Sequence, residues 1–246
     1  MSGMTERIYP KDTNKESPIQ MLMSEILTHR YKVACDWLKK RFKNKPLRIL
    51  DIACGVGYGT EMLSELGEAV GIDIDHETIE YAEKHYSNDR VQFHVGNADD
   101  YSYLEALGDF DAVVSSGTIE HVSDEYVFLK WIRKCLKKGG ACVLCFPSTF
   151  TRDWAFPFHK RDISPKQARL LIDTCDFSIK NEFHRRYRFR MKDLIYEKDS
   201  NRALPVPPMK HWFGYYLSHP HHFGRRLLQM SVGGGILFTD QQYLLA

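Results

Sequence analysis

Residues 48–60 read RILDIACGVGYGT, an apolar run with one acid, Asp51, that breaks into glycines at 55, 57 and 59. Glycine loses more backbone entropy on ordering than any other residue, so Gly55, Gly57 and Gly59 imply a tight turn that something approaches closely. A second acid, Asp73, ends the run AVGIDID, where a carboxylate can accept both hydroxyls of a ribose. Farther along, GTIEHV sets Glu120 beside His121. Neutral histidine has a pKa suited to taking a proton from an alcohol. The chemistry these residues suggest is nucleoside binding next to proton transfer.

Such residues need a frame to converge. Apolar strands alternate with helices: strand 47–53, the glycine turn and a helix to about Leu66, strand 69–74, helix 76–86, and strand 91–95. A short helix near 101–107, strand 110–115 and a helix from about Glu125 to Leu136 follow, with KKGG closing that helix before the strand ACVLCF. This alternation specifies an α/β fold with a parallel sheet covered on both faces, and right-handed crossovers make it doubly wound. Upstream, apolar residues recur at helical spacing from Ile19 to Phe42, with a basic exit, KKRFKNKP. Downstream come an aromatic loop, PSTFTRDWAFPFHKRDI, and a helix, SPKQARLLIDTC, with Ser164 as N-cap and Pro165 in its first position. FSIKNEFHRRYRF reads as a strand, apolar inward and charged outward, and ILFTDQQYLL as a closing strand. The chain therefore divides into a flexible arm (1–18), a core (19–183), a divergent aromatic-rich region (184–235) and a closing strand (236–246).

Bulk properties narrow the class. A 246-residue chain with 43% apolar residues fills one large domain, and 34 basic against 32 acidic residues leave a net charge of +2. That balance gives no general electrostatic reason to bind nucleic acid or an anionic membrane. Six cysteines lie mostly inside apolar runs, at spacings that fit neither a zinc site nor a secreted disulfide framework. No apolar run approaches the roughly 20 residues of a membrane span, and the N-terminus lacks a signal-type apolar segment. The expectation is a cytoplasmic protein without a membrane span.

Open α/β sheets bind ligands beyond the carboxyl ends of their strands. A dinucleotide would suit the glycine turn nearly as well as other nucleosides, but three details argue against it. Thr60 stands where the dinucleotide fingerprint wants its third glycine. Asp51 would repel a pyrophosphate and hold an ammonium. The chain is also short for a second nucleotide-binding half. A ligand with an ammonium, a ribose and an adenine but no phosphate meets all three, and S-adenosylmethionine is that molecule. LDIACGVGYGT resembles motif I of the class I S-adenosylmethionine-dependent methyltransferases. The similarity continues in order through GIDID, VQFHVGNADDY, FDAVVSSGTIEHVSD and CLKKGGACVLCFPS, over about residues 20–180.

The resemblance implies a mostly parallel, seven-stranded, Rossmann-like methyltransferase fold with an N-terminal helical lid. It places Asp51 toward the cofactor ammonium, and Gly55, Gly57 and Gly59 along its methionine and ribose. Asp73 would bind the ribose diol, and Ser115 would pass near the sulfonium. The family's GDA segment reads GNA here, so Asn97 would accept the adenine amino group through its amide oxygen and the Ala98 N–H would serve the ring, with Asp99 as the alternative acceptor. HRYKVACDWL and PFHKRDISPKQARLL resemble a subgroup of glycan and other small-molecule tailoring enzymes, which implies polysaccharide biosynthesis and a nucleotide sugar or glycan acceptor.

For an alcohol acceptor, His121 is the candidate base, with Glu120 orienting it or contacting the cofactor region. The plainer alternative is that the pair only braces its loop. Related quinone O-methyltransferases carry Glu-x-x-Glu-His with a divalent metal. Here Gly117 occupies the first position, so no metal is expected. His159 is the second candidate base, or else packs with Phe156 and Phe158 as a pocket wall. Arg161 would hold an anionic group or pair with Asp162. Tyr31 and Arg30 would cover the cofactor carboxylate, or be an ordinary core tyrosine and a solvated arginine. His219, His221 and His222 suit a surface or substrate-facing loop. The expected partners are a small-molecule acceptor and no nucleic acid; the alternatives are a quinone or lipid head-group methyltransferase, or a silent cofactor-binding subunit.

Overall fold

The computed structural model describes residues 10, 18–147, 160–161, 163–190 and 235–246, together with residues 214, 216–218, 220–221, 223–224 and 227–228. The flexible-arm expectation for 1–18 falls almost wholly outside them, as do His159, Asp162, His219, His222 and residues 191–213.

The elements follow in the order α1 (Pro18–Phe42), β1 (Leu47–Ile52), α2 (Tyr58–Leu63, continued by a tight turn, Ser64–Leu66), β2 (Gly67–Asp73), α3 (His76–Tyr86), β3 (Val91–Val95) and α4 (Tyr101–Ala106). Then come β4 (Phe110–Ser116), α5 (Glu125–Cys135), β5 (Leu136–Pro147), α6 (Pro165–Thr174), β6 (Ile179–Arg190) and β7 (Gly235–Leu245). The seven strands lie side by side in the order β3-β2-β1-β4-β5-β7-β6. All pairs from β3 to β5 are parallel, and β7 runs antiparallel between β5 and β6.

Local chemistry starts the helices. The Asp124 carboxylate accepts the Tyr126 and Val127 N–H groups at the head of α5. Ser164 and Gln167 form a reciprocal capping box ahead of α6, with Pro165 in the first turn. The two-residue period of β1 then decides what each face meets. Leu50 and Ile52 point into a core with Phe110, Phe128, Trp131 and Phe146. Leu47 and Ile49 point the other way, toward Ala34, Leu38 and Leu63 of the α1–α2 layer. Asp51 shares that second face, which aims a carboxylate at α1.

Two sequence expectations change. KKGG does not close α5: the helix ends at Cys135, and Leu136 already pairs with Phe110. Gly139, at φ 82°, lies inside the extended segment, where the β4–β5 register shifts between Phe110 and Ala112. A lysine-glycine cluster has the composition of a helix stop, but here it supplies an irregularity in a strand. The 183/184 boundary falls within β6, which continues to Arg190.

The β6–β7 ribbon outgrows the sheet. Asp240 is opposite Pro147, the last residue of β5, and among the described residues 235–239 of β7 pair only with β6. The ribbon thus overhangs the carboxyl edge by about 17 Å at the usual rise of a strand.

Candidate active site

The turn after β1 is built differently from its glycine spacing. The residues with left-handed backbone are Ala53 (φ 56°), Gly55 (φ 56°) and Gly57 (φ 90°). Gly59 lies within helix α2. The alternating residues are therefore 53, 55 and 57, and an alanine holds the first of them. Three N–H groups of the turn are accepted within the protein: that of Cys54 by the Ile72 carbonyl, that of Gly55 by Asp73 and that of Gly57 by the Cys54 carbonyl.

The close approaches that require glycine come from the protein itself. A Cβ on Gly59 would lie 2.1 Å from the Tyr31 ring, and one on Gly57 would lie 2.7 Å from both Phe93 and Ala82. The turn is pressed between α1 on one side and β3 with α3 on the other.

Asp51 is fully buried. Its carboxylate accepts the Tyr31 hydroxyl at 3.0 Å and the Thr60 hydroxyl at 2.7 Å. Burial pushes its pKa up to about 7, against the pull of those two hydrogen bonds. Thr60, read from sequence only as a missing glycine, is thus a partner of the acid. Burial also pushes the Tyr31 phenol well above its ordinary range. Tyr31 is a core residue whose hydroxyl is turned to Asp51.

Asp73 closes the turn from the side of β2. One carboxylate oxygen accepts the Gly55 N–H and the other the Asp75 N–H, both at 3.0 Å. The adjacent Ile74 is 64% exposed and Val95, paired with Asp73 across the strands, is 45% exposed. Both are exposed apolar side chains at the carboxyl edge of the sheet. The sequence reading did not single them out, because an isoleucine after an acid looks like one more strand residue.

The Asn97 amide oxygen accepts the Asp99 N–H. The Asp99 carboxylate accepts the Ser123 N–H and hydroxyl, which ties the end of β3 to the segment after β4. Ser115, in register with Ile52, is fully buried, and its hydroxyl has no hydrogen-bond partner among the described residues. An orphaned buried hydroxyl costs about 1–3 kcal/mol. A polar ligand at the carboxyl edge would relieve it, so the residues present fit a polar nucleoside cofactor.

After β4, Gly117 turns the chain at φ 71°, and its N–H donates to the Cys145 carbonyl. His121 is half-buried and Glu120 buried. Glu120 faces Gly117 from one side: its Oε1 and Arg30 Nη1 each lie 3.7 Å from the point a Gly117 Cβ would occupy. Arg30 is not a solvated residue. It makes a two-pronged ion pair with Asp240 of β7, at 2.7 and 3.0 Å, and its carbonyl accepts the Gln242 amide. Helix α1 is thereby clasped to the last strand. Arg161 pairs with Glu125 and donates to the carbonyls of Val122 and Ser123. Lys160, the next described residue after Pro147, donates its N–H to the Glu120 carbonyl. No group of His, Cys, Asp and Glu among the described residues is gathered to hold a metal ion.

Residues 50–144 match the family described as a methyltransferase domain. A Mycolicibacterium smegmatis protein named a probable S-adenosylmethionine-dependent methyltransferase is 28% identical over 139 residues, covering 54% of this chain and 52% of its own length. The mitochondrial ubiquinone biosynthesis O-methyltransferase of Mus musculus is 41% identical over 106 residues, covering 39% of this chain and 28% of its own. The chain thus spans about half or less of these curated relatives. Among solved structures, the YcgJ protein from Bacillus subtilis superposes with a TM-score of 0.63 at 18% identity, over 89% of this chain and 97% of its own. At that identity the likeness speaks for the fold, which is the Rossmann-like methyltransferase sheet. With motif, strand order and matched segment in agreement, residues 50–144 form a methyltransferase domain, set in a sheet of the Rossmann-like methyltransferase fold.

Proposed function

We propose that this chain methylates a hydroxyl oxygen of a small molecule, with S-adenosylmethionine as donor and S-adenosylhomocysteine as product. The observation that carries the reading is the Asp73 carboxylate, pinned by the Gly55 and Asp75 N–H groups at the mouth of the turn. When bound, the cofactor supplies a methyl group on a sulfonium, ready for in-line displacement. Asp73 would accept the ribose hydroxyls, while Ile74 and Val95 would flank the adenine. Asn97 and the Ala98 N–H would meet its polar edge: Asn97 Oδ1 already accepts one N–H, whereas Asp99 accepts both the N–H and the hydroxyl of Ser123. Asp51 would lie toward the ammonium, and Ser115 would offer its hydroxyl near the reacting centre.

His121, at the carboxyl edge just past β4, would take the proton as the acceptor oxygen forms its new bond. Glu120, buried toward Gly117 and Arg30, would hold the loop that carries it. His159 remains the second candidate base. A glutamate at 117 would have to adopt a left-handed backbone, so the position itself disfavours the third member of the metal-associated Glu-x-x-Glu-His arrangement.

The acceptor proposed is an aromatic hydroxyl of the quinone-precursor kind. The named activity of the Mus musculus relative supports it, whereas neither relative's name points to the sugar or glycan acceptor expected from sequence. The test is release of S-adenosylhomocysteine across a panel of catechols, phenols, nucleotide sugars and amines. Turnover of the phenolic members is expected, and His121→Ala should lower kcat by about 10²–10⁴ with little change in KM. Turnover confined to sugars would overturn the acceptor. Cofactor binding without turnover of any member would favour the silent subunit.

A further inference from the structure

Strand β6 reads IKNEFHRRYRFR, and its two-residue period puts Phe183, Arg185 and Tyr187 on one face. Residues directly opposite in antiparallel strands share a face, so the pairing of Arg185 with Asp240 turns this face toward α1. The contacts agree. Arg185 pairs with Glu25 at 3.1 Å, and the Phe183 ring lies 5.8 Å from that of His29. Asp240 stands level with Pro147 at the end of β5, and Tyr187 pairs with β7 two residues farther out. Tyr187 therefore sits about 7 Å beyond the carboxyl edge of β5, at the usual rise of a strand.

A side chain at that height has no β5 residue beside it, yet Tyr187 is only 6% exposed, with the Arg185 guanidinium 4.8 Å over its ring. Burial pushes its phenol up to about 12; the Asp240 carboxylate adds to the rise, and the charges of Arg185 and Arg30 oppose it. The hydroxyl is thus a neutral donor, and it makes no hydrogen bond among the described residues. Arg30 shares the pattern. Its Nε and Nη2 are committed to Asp240, while Nη1 is turned to Gly117 just past β4. Three strands separate β6 from β1, so Tyr187 borders whatever lies over the ends of β4 and β5, not the nucleoside side of the sheet.

We propose that the Tyr187 hydroxyl positions the methyl acceptor by donating a hydrogen bond to an oxygen of that molecule other than the one methylated. The inference rests on the methyl-transfer reading and adds a specificity determinant to it: a second oxygen beside the reacting hydroxyl is recognised. A buried hydroxyl bonded to nothing in the fold costs stability, and a ligand oxygen offsets that cost. In-line displacement also needs the reacting oxygen held on the sulfonium axis, and a second anchored oxygen stops the acceptor from turning off it. Tyr187 itself exchanges no proton in this role.

The test compares catechol with phenol, which differ by one oxygen, as acceptors for the full chain and for Tyr187→Phe. The variant should raise the KM for catechol about tenfold, keep its kcat within about twofold, and leave both constants for phenol unchanged. A merely structural tyrosine would affect the two acceptors alike. Cofactor affinity by calorimetry and the melting temperature should stay at the parent values, because the hydroxyl bonds nothing inside the fold. An unchanged catechol KM, equal losses for catechol and phenol, or a melting temperature lowered by several degrees would overturn the assignment and leave methyl transfer to phenols standing. Failure of the parent chain to methylate either compound would instead overturn the phenolic reading, and the role of Tyr187 with it.

Discussion

The two halves of the sheet hold their site residues by different means. On the β1–β3 side, the two buried acids Asp51 and Asp73 are held by neighbours within twenty residues in sequence. Asp51 is met by Thr60 and Tyr31, nine and twenty residues away, and Asp73 by Gly55 and Asp75. On the β5–β7 side, two fixing contacts reach much farther along the chain. Arg30 meets Asp240 across 210 residues, and Gln241 donates to the Ile163 carbonyl across 78. A nucleoside pocket can therefore be written into a short stretch, whereas the wall facing the acceptor depends on the fold being complete.

The sharpest way to break this contrast is at its long-range end. Arg30→Ala leaves Asp240 charged and nearly buried, and should cost about 3–5 kcal/mol, or roughly 10 °C in melting temperature. The paired swap Arg30→Met with Asp240→Leu should recover most of that loss in the same thermal melts. On the local side, Asp73→Ala should leave the melting temperature far less changed while lowering cofactor affinity about 100-fold or more by calorimetry. Should both variants lose stability equally, the distinction between the halves fails.

Two smaller effects sharpen the local half. The folded-state pKa of Asp51 lies above its unfolded value, so the folded chain binds the extra proton. Without cofactor, this contribution makes stability fall as pH rises from about 4 to about 7 and stay level above, and Asp51→Asn should flatten that slope. An ammonium placed near Asp51 favours the ionised form. Cofactor binding at pH 7 should then release about half a proton, detected as a dependence of binding heat on buffer ionisation enthalpy and absent in Asp51→Asn. Last, Ala53→Gly removes a left-handed alanine and should raise stability by about 1 kcal/mol, or about 2–4 °C.

What was legible from sequence follows the same division. Helix α3, strand β3 and the Ser164 cap could be placed from periodicity and capping chemistry, which are local. The seven-stranded, mostly parallel, doubly wound sheet followed from alternating strands and helices plus the family resemblance. The phase of the glycine turn was not legible, since Ala53 adopts a glycine-like backbone that its side chain does not advertise. Nor was the start of β5 at Leu136, because KKGG has the composition of a terminator. The Arg30–Asp240 clasp gave no signal at all: nothing in a chain read along its length links residues so far apart.

That clasp also imposes an order of assembly. A ribosome delivers the helix bearing Arg30 early and Asp240 some two hundred residues later. Until β7 is threaded between its neighbours, the guanidinium lacks the Asp240 carboxylate, and the helix that lays Tyr31 on Gly59 is not yet clasped to the last strand. The roof of the nucleoside cradle is consequently the last part to set, and a half-made chain is a poor trap for the cofactor.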